Sequence, residues 1–94
     1  MSDEELIGRY IEPNPHKPTL AEAWLKDSAI PIWALIGSLP GVDDDPVALA
    51  EAFGVPIEAV RAALAFYDRH RSLIDARLAE NATTIAWPYA LVHG

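Results

Sequence analysis

The chain has 94 residues, of which 51% are hydrophobic, and it carries a net charge of −7 without any cysteine. This length suits one domain rather than two, and the hydrophobic fraction is typical of a folded chain. The absence of cysteine excludes disulfides, thiolate metal ligands and cysteine nucleophiles. Because the N-terminus is acidic and the longest apolar run is too short to span a bilayer, we expect a soluble, cytoplasmic protein.

The negative charge is unevenly distributed along the chain. Residues 1–45 hold nine acids and three bases, whereas residues 46–94 hold five acids and four bases. Neither half has the clustered positive charge of a simple nucleic-acid binder. The acidic excess favours either a well-solvated surface or a basic protein partner.

The first third of the chain is predicted to contain a short β element. We expect residues 1–8 to form a flexible acidic terminus. Arg9–Glu12 and Ala21–Lys26 are predicted to pair as two strands, and the three prolines between residues 13 and 18 require an extended loop between them.

Three helices are predicted after this element. Pro31 suits the first position of the first helix, because its missing N–H costs nothing there. Apolar residues then recur at helical spacing: Ile32, Leu35, Ile36 and Leu39. Asp45 is a suitable N-cap for the second helix, Pro46–Phe53. The third helix has no glycine or proline from Ile57 until about residue 80, so we predict one long helix.

Residues 46–64 have the pattern of a helix-turn-helix unit. Ala50 is small enough for two steeply crossing helices to touch, and Gly54 can adopt the positive φ that the short turn needs. The predicted fold class is mainly α: a three-helix helix-turn-helix core, homeodomain-like or winged-helix-like, with a long third helix and a short N-terminal β element. We expect the domain to cover residues 9–81, followed by a C-terminal aromatic tail (residues 82–94) with a strand at 83–87.

The third helix would be the recognition helix of a DNA-binding unit. Outside its apolar face it offers Pro56, Glu58, Ala59, Arg61, Ala62 and Ala65. Of these, only Arg61 is suited to base readout. The candidate DNA contacts are Arg61, Arg69 and Arg71. Two alternatives stay open: the unit only packs three helices, and the arginines form ion pairs such as Arg71–Asp75.

An apolar stripe continues along the third helix beyond the part that two short helices can cover. It comprises Phe66, Tyr67, His70, Leu73, Ile74 and Leu78. The spacing is heptad-like and predicts a contact with a second copy, as a homodimer, or with another protein. Trp87 and Tyr89 of the tail are further candidates for this interface. The alternative is that the strands and the tail fold back over the stripe.

No constellation of residues indicates an enzyme. The three histidines, His16, His70 and His93, are scattered and lack metal-ligand spacing. There is no glycine-rich phosphate loop, and no serine has a plausible base partner nearby in sequence. We therefore expect no catalytic residues, no metal and no cofactor.

Several stretches together resemble a bacterial family known as domain-of-unknown-function family 433. They are Ala21–Leu25, Ile30–Ile36, Ala48–Val55, Val60–Tyr67 and His70–Arg77. The resemblance covers about residues 9–81, and it implies a helix-turn-helix core behind a short β element. It also implies an antitoxin-like role, because members commonly accompany a PIN-like nuclease toxin that they are thought to neutralise. Many members have Gly-Thr-Arg before the Ile-Pro dipeptide, where this chain has Asp27-Ser28-Ala29. A role of that arginine therefore does not carry over.

Three functional hypotheses follow from these observations. The leading hypothesis is an antitoxin-like protein that binds and neutralises a PIN-like nuclease, with operator DNA as a candidate second ligand. The alternative is a dimeric DNA-binding transcriptional repressor, or a structural or interaction module without DNA binding.

Overall fold

The computed structural model describes residues 2–81, and this part of the chain is mainly helical. Its α-helices are α1 (Asp3–Tyr10), α2 (Ile32–Ser38), α3 (Pro46–Phe53), α4 (Ile57–Arg69) and α5, which runs from residue 71 to the end of the described part at residue 81. Two short 3₁₀ helices are formed by Leu20–Glu22 and Leu39–Val42. The predicted class, mainly α with a short β element, is confirmed. The predicted strand at 83–87 and the aromatic tail lie outside the described residues.

The β element is a two-stranded antiparallel sheet of β1 (Ile11–Glu12) and β2 (Trp24–Leu25). Ile11 pairs with Leu25, and Glu12 pairs with Trp24. The predicted pairing is confirmed, but both strands are shorter than expected. The first is shortened because α1 extends to Tyr10, and the second because a 3₁₀ helix occupies Leu20–Glu22.

The N-terminal segment is a helix, so the prediction of a flexible terminus over residues 1–8 is wrong. The Ser2 hydroxyl caps α1 by accepting a hydrogen bond from the Glu5 N–H at 3.2 Å. The three acids in the first turn of α1, which suggested a solvated terminus, are favourable neighbours of a helix N-terminus. Leu6 is buried, and α1 packs along α4. This burial orders a segment whose composition alone indicated disorder.

α3 has the predicted bounds, and the signals at its ends are local. The Asp45 side chain accepts a hydrogen bond from the Val47 N–H at 3.0 Å, and Pro46 occupies the first turn. Gly54 ends the helix with a φ of 67°. This conformation is strained for residues with a Cβ and easy for glycine. The N-cap and the glycine turn predicted from the sequence are both confirmed.

The third predicted helix is not continuous, which corrects the expectation of one helix to about residue 80. α4 ends at Arg69, and His70 adopts φ −131° and ψ 38° before α5 begins. The His70 N–H donates to the carbonyl oxygens of Phe66 and Tyr67, and its own carbonyl accepts from the Ile74 N–H. The bend changes the direction of the chain, and Ile74, four residues further on, is completely buried. A straight helix would leave this side chain without cover from its own domain.

The core surrounds α4. The largest fully buried side chains are Ile32, Leu35, Leu49, Val60 and Ile74. They come from α2, α3, α4 and α5. Both α4 and α5 therefore contribute side chains to one core with the earlier helices. Within residues 2–81, none of the helices combines the length and the apolar character needed to cross a membrane.

Candidate functional site

The side of α4 that would face DNA is covered by α1. Ala59, Ala62 and Ala65 were expected to be exposed, but they are 3%, 0% and 8% exposed. α1 packs on α4, and its residues Leu6 and Tyr10 line depressions together with Ala65 and Ala59, respectively. A recognition helix must present its outward side chains to the major groove. These three alanine side chains are therefore not presented on the surface of α4.

A depression of about 570 Å³ lies where α1, the Leu39–Val42 turn and α4 meet. Its apolar residues are Leu6, Leu39, Leu64 and Ala65. Its polar residues are Asp3, Arg61, Tyr67, Asp68 and Arg71. We call it the α1–α4 depression. The apolar residues are buried or half-buried, whereas the charged ones are all exposed, so the depression has an apolar floor and a polar rim.

The rim carries both signs of charge. Arg71 Nη2 and Asp68 Oδ1 are 2.9 Å apart, and the Arg71 guanidinium lies 5.4 Å from the centre of the Tyr67 ring. The hydrogen bond to Asp68 raises the pKa of Arg71 further above its usual range. This pair is exposed, so it contributes little to stability and leaves Arg71 available to a partner. The predicted ion pair Arg71–Asp75 is wrong.

Asp75 has a different partner. The Tyr67 hydroxyl donates a hydrogen bond to Asp75 Oδ1 at 2.8 Å, across the bend between α4 and α5. This hydrogen bond is the largest cause that raises the pKa of Tyr67 above its ordinary value of 10.0, with smaller contributions from desolvation and from the carboxylate charge. Tyr67 thus connects the rim of the α1–α4 depression to α5.

Two acidic stretches flank the same depression. One is the first turn of α1, Asp3–Glu5, whose first residue lies on the rim. The other is Asp43–Asp45, which follows the wall formed by Leu39: the Asp44 N–H donates to the Leu39 carbonyl at 2.9 Å. All six carboxylates are exposed. The surroundings of the depression are therefore strongly negative.

The candidate DNA contacts are only partly brought together. Arg61 and Arg71 both lie on the rim of the α1–α4 depression, with Asp3 and Asp68 beside them. Arg69 is exposed but is not among the residues that line it. The rim therefore carries two arginines and two aspartates and has no net positive charge.

The candidate interface residues fall into three groups. Phe66 and Ile74 are 5% and 0% exposed, because they belong to the core of their own chain. Tyr67, His70 and Leu78 are half-buried, and Leu73 is 44% exposed. Trp87 and Tyr89 lie outside the described residues. The continuous stripe predicted for a straight helix is therefore not presented on one surface.

A second, apolar depression of about 230 Å³ was not predicted from the sequence. It lies between α1, β1, the proline-rich loop and Phe66, and it includes the side chain of Leu20, which is 51% exposed. The sequence contains the residues that form it, Pro13, Pro18 and Leu20, but their pattern alone does not indicate a depression. Its formation depends on the position of α1, which the sequence analysis did not anticipate.

Comparisons with known proteins add no relationship to this description. No family model matches the chain, and neither a curated protein nor a solved structure shows significant similarity to it. Within residues 2–81, no group of three or more histidine, aspartate or glutamate side chains is arranged to hold a metal ion. Geometry and chemistry of the surface are therefore the basis for a functional proposal.

Proposed function

We propose that this chain is an antitoxin-like cytoplasmic protein that binds and neutralises a PIN-like nuclease through the α1–α4 depression. The observation that carries the proposal is the anatomy of this surface. Its apolar floor and polar rim, with Arg61, Arg71 and Tyr67 on the rim, match the composition of protein–protein interfaces. Arginine and tyrosine are also the residues that most often dominate binding energy.

The charge around the depression suits such a partner. A nuclease that acts on RNA needs a basic surface for the phosphates and acidic side chains for its metal ions. The exposed stretches Asp3–Glu5 and Asp43–Asp45 would be attracted to the basic surface. Arg61 and Arg71 would face the acidic residues of the metal site. A mixed-charge rim complements this partner better than it complements DNA, which is uniformly negative.

We further propose that α3 and α4 form a helix-turn-helix pair that acts as a scaffold for this surface. In support, Gly54 makes the tight turn, and Ala50 is 6% exposed, as expected for the point where two helices touch. The function of the pair is then to position α4. Its residues Arg61, Leu64 and Asp68 line the α1–α4 depression.

The test is co-expression with the product of the neighbouring gene, which the proposal expects to be a PIN-like nuclease, followed by purification through a tag on that product. Arg61→Glu should lower the affinity by about tenfold or more, because it reverses a charge on the rim. Arg69→Glu is the matched control, since Arg69 is an exposed arginine of the same helix outside the depression. It should change the affinity by no more than about twofold. Failure of the unaltered chain to co-purify, or equal effects of both variants, would contradict the proposal.

The alternative, a dimeric DNA-binding repressor, has weaker support. It relies on phosphate contacts from Arg61 and Arg69, both of which are exposed. Against it stand the alanines of α4 that lie beneath α1. A gel shift against the upstream region of the gene, at low and high salt, decides: salt-sensitive binding that Arg61→Ala and Arg69→Ala weaken would favour the repressor. Negative results in both tests would leave an interaction module of another kind.

A further inference from the structure

α5 is attached to parts of the chain that lie far away in sequence. Arg77 Nε donates a hydrogen bond to Glu22 Oε1 at 2.6 Å, and the Arg77 guanidinium lies 4.2 Å from the centre of the Trp33 ring. Leu78 packs against Gly37 so closely that a Cβ on that glycine would lie 2.8 Å from Leu78 Cδ2. The receptor for α5 is thus formed by α2 and the Leu20–Glu22 turn. None of these contacts is with α4, the helix to which α5 is covalently joined.

The connection between α4 and α5 is a single residue. His70 alone departs from helical geometry between two helices, and no glycine or proline occurs from residue 57 to residue 81. In a continuous helix the N–H groups of residues 71–73 would donate to the carbonyls of residues 67–69, whereas the first turn of a new helix leaves such donors without intrahelical partners. The local backbone therefore favours a straight α4–α5 helix, and the bend depends on tertiary contacts.

The hydrogen bond between Tyr67 and Asp75 also depends on the bend at His70. The two residues are eight positions apart, and their side-chain oxygens are 2.8 Å apart. In a straight helix eight residues advance about 12 Å along the axis, which is too far for this hydrogen bond. The bond therefore requires an α5 helix set at an angle to α4, whichever chain that α5 belongs to.

We infer that α5 is an exchangeable arm, and that the chain forms a dimer in which two copies straighten at His70 and each inserts its α5 into the receptor of the other. A single straight chain would expose Ile74 and vacate its own receptor. In the pair every contact of α5 is made again between chains, and two hinges gain helical hydrogen bonds. Very short connections between packed elements are the situation in which such exchange is favoured. This inference does not depend on the proposed nuclease partner.

The first experiment compares two variants of the hinge. His70→Ala and His70→Gly remove the same imidazole, but alanine favours the helix over glycine by about fivefold per position. Because a dimer has two hinges, the association constant should be roughly 30-fold higher for His70→Ala than for His70→Gly. Each protein is refolded from denaturant over a range of concentrations, and its mass is measured by light scattering. Equal association constants, or monomers in both cases at millimolar concentration, would overturn the inference.

The second experiment distinguishes exchange from any other mode of dimerisation. In Glu22→Arg the new arginine faces Arg77 of the same chain, and in Arg77→Glu the new glutamate faces Glu22. Each single variant therefore has like charges between its own α5 and its own receptor. When the two single variants are refolded together, each α5 finds an oppositely charged receptor only in the other chain. A 1:1 heterodimer is expected, more stable than either variant alone. The double variant Glu22→Arg/Arg77→Glu restores the pair within one chain and serves as the folding control. If the single variants do not associate although the double variant folds, α5 is not exchanged.

Discussion

α3 and α5 differ in what determines their position. The ends of α3 are set within the segment itself, by the Asp45 cap and by the positive φ of Gly54. α5 is held by Arg77 and Glu22, which are 55 residues apart, and by the contact of Leu78 with Gly37. α1 resembles α5 in this respect, since its burial depends on α4. The comparison indicates that α3 and α4 form a locally specified unit, whereas long-range contacts place α1 against α4 and α5 against α2 and Leu20–Glu22.

The largest effect is expected in the core of this unit. Leu49 of α3 is 1% exposed, so Leu49→Ala should lower the free energy of unfolding by about 3–4 kcal/mol. Leu6→Ala in α1, at 8% exposure, should lower it by about 2 kcal/mol, because it lies at the edge of the core. Urea denaturation measures both, with Leu20→Ala at a 51% exposed side chain as the control. A larger loss for Leu6→Ala would show that α1 is part of the central unit.

Removal of the Arg77 side chain tests how α5 is held. Arg77→Ala should cost about 2 kcal/mol, because it leaves Glu22 unpaired at 16% side-chain exposure and removes the contact with the Trp33 ring. Hydrogen exchange should show faster exchange in α5 and little change in α3. Arg69→Ala, at an exposed position, is the control. Uniform acceleration across both helices would mean that α5 and α3 unfold as one unit.

A smaller effect is expected at the turn between β2 and α2. Ala29 has a φ of 58°, a conformation that a Cβ makes unfavourable. Ala29→Gly should therefore raise the free energy of unfolding by about 0.5–1 kcal/mol. The same substitution at Ala52, which is exposed in α3, should lower it by about 1 kcal/mol. Thermal melts of the two variants should shift in opposite directions, and shifts of the same sign would contradict the assigned turn.

The smallest effect concerns the hydrogen bond that joins α4 to α5. The pKa of Tyr67 is raised in the folded state, so the stabilisation is present below pH 10.0 and is lost as the pH rises through the raised pKa. As the pH rises above 10.0, the unaltered chain should lose more thermal stability than Tyr67→Phe, which has no ionisable hydroxyl. Asp75→Asn removes the carboxylate that raises the pKa of Tyr67, so it too should lose less thermal stability at high pH than the unaltered chain. Identical pH profiles would show that this bond does not contribute.

The elements with local signals could be predicted from the sequence. Asp45, Pro46 and Gly54 mark the ends of α3, and the predicted bounds are those observed. The pairing of β1 with β2 was also predicted, although their lengths were overestimated. For the candidate site, the prediction identified Arg61, Arg71 and Tyr67 individually. It did not identify the depression they share, because Asp3 and Leu6 come from a segment that was expected to be flexible.

Periodicity predicts that a face will be buried, but it does not identify what covers it. The apolar stripe from Phe66 to Leu78 indicated burial correctly for Phe66 and Ile74, but it left open whether a second copy, another protein or the chain's own strands and tail would cover it. In the structure Ile74 follows the bend at His70 and is buried within one chain, while Phe66 lies beside Ile7 of α1 and Ile11 of β1. The alanines of α4 were expected to be exposed for the same reason, since their pattern does not reveal that α1 lies over them.

By itself, the sequence determined the mainly helical class, the acidic balance, the caps of α3 and the turn at Gly54. These features depend on side chains and backbone preferences within a few residues of one another. Only the tertiary structure decided that α1 packs on α4, that the chain bends at His70, and that Arg61 and Arg71 share a rim with acids. Those outcomes depend on the free energy of burying apolar surface between segments distant in sequence, which no local pattern encodes.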